Sequence, residues 1–257
     1  MPSQPPDREQ LRATFDGVAE LYDRARPAYP PALLDDVASL GPHLLEIGPG
    51  TGQATRALVE RGIDVTAVEL GPNLAAIARR NVPEATIVTA DLEAWEPEHA
   101  DFDVVAAFNA FHWLDPDTRY ATVARLHRRG GTLAVAEIDY VTVPGGDTYW
   151  SEAREDYEAA LPDARFDLPP SEEAVGDLRV ELEASGFFRE VEVRRYRWDV
   201  TFTADEWIDL LGTFSPNIAA GPVISEPLYA RIRARLDARP TGAVTQHLLA
   251  TLNLGWT

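Results

Sequence analysis

Four stretches of this chain have residue types and spacings that suit chemistry. The first is Glu46-Ile47-Gly48-Pro49-Gly50-Thr51-Gly52-Gln53, with glycine at every second position and an acid two residues before the first. Glycine takes backbone angles closed to other residues and lets a ligand approach the main chain. A helix that starts after such a turn points its first N–H groups at whatever sits over it. The second is Glu69, twenty-one residues after Gly48, where a carboxylate can accept both ribose hydroxyls of a nucleoside. The third is Asp91-Leu92-Glu93. The fourth is Asn109-Ala110-Phe111-His112-Trp113-Leu114-Asp115-Pro116. Its imidazole can serve as a general base or orient a substrate. Three of the four also have a plain alternative. The glycines can make a tight turn that binds nothing, Asp91 can cap a short helical turn, and His112 can bond the backbone and shape a pocket.

The elements around these residues place them on one rim. Residues 43–47 form a short apolar run with one acid, as a strand covered on both faces does. A helix over 53–61 follows, with Ala54, Ala57 and Leu58 on one side. Strand two, 63–70, ends at Glu69. Gly71-Pro72-Asn73 opens the next helix with proline in its favoured first turn, and Leu74, Ile77 and Ala78 face the sheet. Strand three, 85–90, delivers Asp91, and strand four, 102–108, delivers the His112 segment. A helix over 116–129 puts Tyr120, Val123, Ala124 and His127 inward. Strand five, 132–138, ends near Glu137 and Tyr140. In open α/β sheets ligands bind outside the carboxyl ends of the strands, where all four stretches fall.

Outside this alternation lie an N-terminal segment and two insertions. Residues 1–7 are proline-rich, and from Arg8 the residues Leu11, Phe15, Val18, Ala19 and Tyr22 make one helical stripe. A short helix over 32–40 leads into strand one. Residues 141–171 hold Tyr149, Trp150 and several prolines, with a helix over 151–161. A helix over 171–185, with Val175, Leu178 and Leu182, closes at Gly186, and strand six spans 190–200. Thr203 caps a helix over 204–214 whose stripe is Trp207, Ile208, Leu211 and Phe214. A helix over 225–239 and an alternating strand seven, 243–254, complete the chain.

The glycine spacing with Glu46 and Glu69 resembles the class I S-adenosylmethionine (SAM) methyltransferases. It is G-x-G-x-G and not the dinucleotide G-x-G-x-x-G. A pyrophosphate would be repelled by Glu46, whereas the ammonium and sulfonium of SAM are cationic, so the acid favours SAM over NAD. Two further runs are similar to small-molecule members of the trans-aconitate methyltransferase type: Tyr22-Asp23-Arg24-Ala25-Arg26-Pro27-Ala28-Tyr29-Pro30, and the His112-Trp113 segment. The latter is not the Asn/Asp-Pro-Pro-Tyr/Phe run of enzymes that methylate base or amide nitrogens.

The resemblance implies a Rossmann-like, doubly wound sheet of seven strands, parallel with an antiparallel last strand, and helices on both faces. It also implies a single domain over 1–257, with an N-terminal cap at 8–40 and lid insertions at 139–171 and 201–240. SAM would meet Tyr22, Arg26, Glu46, Gly48, Gly50, Gly52, Gln53, Glu69, Leu70, Asp91, Leu92 and Asn109. Arg26 would pair with the methionine carboxylate, or make an exposed ion pair at a surface helix end. Asp91 and the Leu92 N–H would meet adenine. His112 is the candidate catalytic residue, and Tyr22, His112, Trp113, Tyr140, Trp150, Trp207 and Phe214 would border a partly apolar acceptor, most readily one methylated at oxygen. Methylation at carbon or nitrogen, or SAM or nucleoside binding without catalysis, are the alternatives.

Composition limits the partners. The 257 residues carry a net charge of −19, and all 23 basic residues are arginine. That balance argues against nucleic acid and against an anionic membrane surface. There is no cysteine, hence no disulfide or thiolate site, and no metal site is expected. No signal peptide or long apolar run is apparent. The expectation is a cytoplasmic enzyme, monomer or homodimer, with a small-molecule methyl acceptor as its partner.

Overall fold

A computed structural model describes residues 15–160 and 166–257. The proline-rich opening 1–7, the helix start at Arg8 with Leu11, and Leu161 and Pro162 lie outside the described residues. The helices are α1 (Ala19–Ala25), α2 (Pro31–Ala38), α3 (Gln53–Val59), α4 (Pro72–Asn81), α5 (Arg119–Ala124), α6 (Tyr149–Ala160), α7 (Arg179–Ser185), α8 (Ala204–Leu211), α9 (Ser215–Ala220) and α10 (Pro222–Asp237). The strands are β1 (His43–Ile47), β2 (Asp64–Glu69), β3 (Thr86–Thr89), β4 (Phe102–Phe108), β5 (His127–Val141), β6 (Glu190–Thr203) and β7 (Ala243–Trp256).

The seven strands form one sheet in the order β3-β2-β1-β4-β5-β7-β6. β1 pairs in parallel with β2 and with β4, so the chain crosses over between β3 and β4 and leaves a switch point outside the ends of β1 and β4. β2–β3 and β4–β5 are also parallel. β7 runs antiparallel: the Thr257 N–H donates to the Gly131 carbonyl, and the Arg189 N–H donates to the Trp256 carbonyl.

The chain divides into two compact units. The described residues of the first are 28–138, 176–196 and 250–257; those of the second are 15–27, 139–160, 166–175 and 197–249. The second unit takes in residues of the N-terminal cap and of both insertions named from the sequence. In the first, Leu45, Ile47, Val105, Ala107, Leu133 and Val135 pack with Phe111, Leu126, Leu182 and Phe188. In the second, Tyr149, Trp207, Leu210, Leu211, Leu228, Ile232 and Val244 form a separate core.

Three expected helices differ. The helix read over 116–129 spans only Arg119–Ala124, and β5 already begins at His127. His127 pairs with Phe102 and Thr132 with Val104, so the residues between bulge out of the ladder. Arg128 pairs there with Asp103, and a Cβ on Gly131 would lie 2.9 Å from His127 Cβ. The helix read over 171–185 is broken into a 3₁₀ turn, Glu172–Ala174, and α7. Val175 packs with Val141 and Leu249 while Leu182 packs in the first unit's core, so one helical stripe cannot serve both. The Leu178 N–H donates to Asn253 Oδ1 at 2.8 Å in the gap. The helix read over 204–214 stops at Leu211, and Pro216 then opens α9. The Thr203 cap is present as a capping box with Glu206.

Candidate active site

The glycine turn links β1 to α3. Gly48, Gly50 and Gly52 all have positive φ (61°, 60° and 92°). A Cβ on Gly48 would lie 2.9 Å from Ala110 Cβ, so the turn packs closely against the segment that follows β4. Around the same loop, Asn81 Nδ2 donates to the Thr51 carbonyl at 2.9 Å and Gln53 Nε2 donates to Thr51 Oγ1 at 2.6 Å.

Two carboxyl groups flank the turn. Glu69, at the end of β2, accepts from the Gly50 N–H at 3.0 Å and from the Gly71 N–H at 2.8 Å, one bond to each oxygen. The bonds fix the carboxylate between the glycine turn and the start of α4. Leu70 beside it is an exposed large apolar residue. Glu46 is 1% exposed, and its Oε2 accepts from the Thr55 hydroxyl at 2.6 Å. Burial, reinforced by the charge of Glu69, pushes its pKa up to about 7 against the opposing Thr55 bond.

After β3, Asp91 Oδ1 accepts from the Glu93 N–H at 3.1 Å, a capping bond across the turn, and Leu92 is buried in the core. Glu93 Oε1 accepts from the Asp115 N–H at 2.6 Å and so ties this turn to the segment after β4. In that segment Asn109 is the one non-glycine residue with positive φ among the described residues, at 54°. Its side-chain oxygen accepts from the Ile138 N–H at 2.7 Å and its own N–H donates to the Ala136 carbonyl at 2.8 Å. Those two bonds to β5 hold the strained backbone. The chain then enters a single 3₁₀ turn, Phe111–Trp113, with Phe111 fully buried. His112 is left half-exposed, its ring 4.8 Å from that of Trp113, its Nδ1 3.4 Å from Glu137 Oε1.

Glu46, Gly48, Gly50, Gly52, Gln53, Glu69, Leu70, Asp91, Leu92, Asn109, His112 and Trp113 therefore belong to one unit, at the carboxyl ends of β1 to β4. Tyr22, Arg26, Tyr140, Trp150, Trp207 and Phe214 belong to the other. There, Tyr140 lies 5.9 Å from Trp150, 6.0 Å from Trp207 and 5.7 Å from Phe214, ring to ring. Arg26 stacks its guanidinium on Tyr22 at 4.8 Å and on Phe214 at 5.3 Å, and Nη2 donates to the Thr213 carbonyl at 2.8 Å. Trp207 has no exposed surface, and the Trp150 indole N–H donates to Gln246 Oε1 at 2.7 Å.

Several supporting residues escape a sequence reading. Thr55, Gly71 and Asn81 act through single bonds to the glycine turn or its acids, and nothing in their spacing announces this. The sequence places Glu137 only at the end of a strand on the rim; its approach to His112 needs the parallel β4–β5 register. No group of three potential metal ligands occurs among the described residues, and no helix there is long and apolar enough to cross a membrane.

The donor set suits a cationic nucleoside. A carboxylate fixed at the end of β2 is placed to accept hydroxyl bonds. Among the described residues Glu46 is an acid with a hydroxyl as its hydrogen-bond partner and no cation paired with it, which suits a positive ligand.

Comparison with known proteins agrees. Residues 45–135 match the family model described as a methyltransferase domain. An uncharacterized methyltransferase of Mycobacterium tuberculosis is 33% identical over 129 residues, covering 50% of this chain and 53% of the relative. A trans-aconitate 2-methyltransferase of an Enterobacter species is 35% identical over 130 residues, covering 48% and 49%. The chain spans about half the length of the curated relatives it matches. The structure of a putative type II methyltransferase from Anaeromyxobacter dehalogenans superposes with a TM-score of 0.65 at 25% identity, over 90% of this chain and 97% of that one. On its sheet order, its glycine turn and these similarities, the chain has the class I SAM-dependent methyltransferase fold and carries a methyltransferase domain at residues 45–135.

Proposed function

We propose that this protein transfers the methyl group of SAM to an oxygen atom of a small, partly apolar molecule. It would act in the cytoplasm as a monomer or homodimer, without nucleic acid or membrane as partner. The observation that carries the oxygen reading is the half-exposed His112 with Glu137 Oε1 3.4 Å from its Nδ1. A carboxylate at Nδ1 orients the ring and leaves Nε2 to take a proton from a hydroxyl.

SAM supplies an electrophilic methyl on a sulfonium, and the protein supplies position and a dry pocket. Glu69 holds the ribose, the glycine turn with Gln53 and Glu46 holds the methionine end, and Asp91, Leu92 and Leu70 hold the adenine side. Asn109 keeps the His112 segment beside the turn. His112 would accept the hydroxyl proton as the methyl passes from the sulfonium to oxygen, which leaves the cofactor as a neutral thioether, and Trp113 would wall the acceptor. The further assignments of Tyr22 and Arg26 to the cofactor, and of Tyr22, Tyr140, Trp150, Trp207 and Phe214 to the acceptor, rest on residue type and family resemblance. Orientation of the two reactants alone accounts for roughly 7–11 kcal/mol of barrier in favourable cases, so the base is an addition to proximity.

The test is a screen of small hydroxyl and carboxyl compounds with methyl-labelled SAM, followed by His112→Ala on the best acceptor. A hydroxyl acceptor predicts a fall in kcat of roughly 10²–10⁴-fold with SAM affinity little changed. A variant that keeps most of its kcat removes His112 as the base. An effect confined to the acceptor KM makes it a pocket wall.

A further inference from the structure

Glu46, placed above at the methionine end of the cofactor, is a buried acid whose own protonation that role leaves open. Glu46 sits on β1 with Ala67 of β2 and Ala106 of β4 as its register neighbours. It is 1% exposed, and its hydrogen bond is the one from the Thr55 hydroxyl of α3. The charged group set against it is Glu69 of β2, itself held by the Gly50 and Gly71 N–H groups. β4 places Ala106 and Ala107 beside β1, and α3 buries Ala54 and Thr55, none of which titrates. The other titratable residue of β1, His43, is exposed and lies 3.3 Å from Asp64. No basic side chain pairs with Glu46 among the described residues.

We propose that Glu46 couples cofactor binding to proton release: the carboxyl is a neutral acid in the ligand-free protein at and below neutral pH, and it ionises when a positively charged cofactor arrives. The inference rests on the reading that SAM binds this turn. A carboxylate taken out of water needs a counter-charge, and the described residues provide a hydroxyl and a second acid but no cation. A ligand carrying an ammonium and a sulfonium brings the missing charge, and the proton leaves to solvent. The free carboxyl, held up to about 7 by burial, gives the direction. Affinity for SAM increases as pH rises towards neutrality and levels off above it, where the acid is already ionised. Thr55, which donates to the carboxyl, keeps it facing the turn in both forms.

The test is titration calorimetry with SAM in buffers of different ionisation enthalpy, at about pH 6 and about pH 8, on the wild type and Glu46→Gln. Wild type should release close to one proton per SAM at the lower pH and little at the higher, with a several-fold tighter Kd at the higher. Glu46→Gln keeps an acceptor for Thr55 and should release none, with a flat pH dependence. The carboxyl carbon shift of Glu46 in glutamate-labelled wild-type protein reads the same event without a variant. It should titrate near neutral pH and move to the ionised value on adding SAM. Binding of SAM without proton release, or with equal release in Glu46→Gln, overturns the coupling alone. An absence of SAM binding at either pH overturns the cofactor reading and the coupling with it.

Discussion

The two units position their candidate residues by different means. In the first, site groups sit on loops whose shape is set by backbone hydrogen bonds and strand register. Glu69 is held by two N–H groups, Glu93 by the Asp115 N–H, and Asn109 by two bonds to β5. In the second, they sit in an aromatic cluster positioned by packing, with Tyr140 within about 6 Å of Trp150, Trp207 and Phe214. Backbone-held groups tolerate changes in the side chains around them but fail when one anchoring bond is lost. Packed aromatics fail through volume. The difference shows which substitutions should strike binding and which should strike stability.

Trp207→Ala should have the largest effect. The side chain is fully buried among Tyr149, Trp150 and Phe202, and its loss should cost about 3–5 kcal/mol of stability. Denaturant unfolding measures it; a loss below about 1 kcal/mol would mean that the cluster relaxes around the hole and is not packed as a core. Glu69→Ala should follow, weakening SAM by about 3 kcal/mol, on the order of a hundredfold in Kd. The same change also frees the Gly50 and Gly71 N–H groups. Calorimetry reads it, and an unchanged affinity would remove Glu69 from the ribose.

His127 offers a test by pH. Burial pushes its imidazole down to about 4, whereas an unfolded histidine titrates near ~6.5. The unfolded chain therefore binds a proton that the folded chain refuses. The stability this residue contributes is complete above about 6.5 and is lost as pH falls towards 4, on the order of 3 kcal/mol at the limit. Glu46 acts in the opposite sense over much of the same range, since its raised pKa favours the folded state at low pH. The readout is thus the difference in Tm between the wild type and His127→Gln. It should move against the wild type as pH drops through that window, and a constant difference would contradict a neutral buried imidazole. Thr203→Ala should be smallest, about 1 kcal/mol, through loss of the capping box of α8; unchanged stability would mean that packing alone holds the helix.

How far the sequence could be read follows the same division. β1 and β4 stand at 43–47 and 102–108 as expected, because short apolar runs bounded by turn residues have one good solution. The positive φ values at Gly48, Gly50 and Gly52 follow from residue type. β7 was legible as a strand in its alternation, while its antiparallel direction was implied by the family resemblance. The bulge at 128–131 was not: Tyr120, Val123, Ala124 and His127 keep helical spacing while His127 is already in β5. Neither was the break at Val175, which packs in a different core from Leu182. The pairing of Arg26 with the Thr213 carbonyl joins residues far apart in the chain, and no local pattern encodes it. Spacing records what the backbone must do locally, while the partners of a packed aromatic or a stacked arginine are settled only by tertiary structure.

The central claim is that the turn between Glu46 and Gln53, closed by Glu69, receives a cationic nucleoside and not a dinucleotide. The most direct measurement is paired titration calorimetry of the wild-type protein with SAM and with NAD under identical conditions. SAM should bind at one site per chain and NAD should give no saturable heat, because a pyrophosphate meets the carboxyl groups of Glu46 and Glu69 at the turn. Saturable NAD binding without SAM binding would contradict the claim.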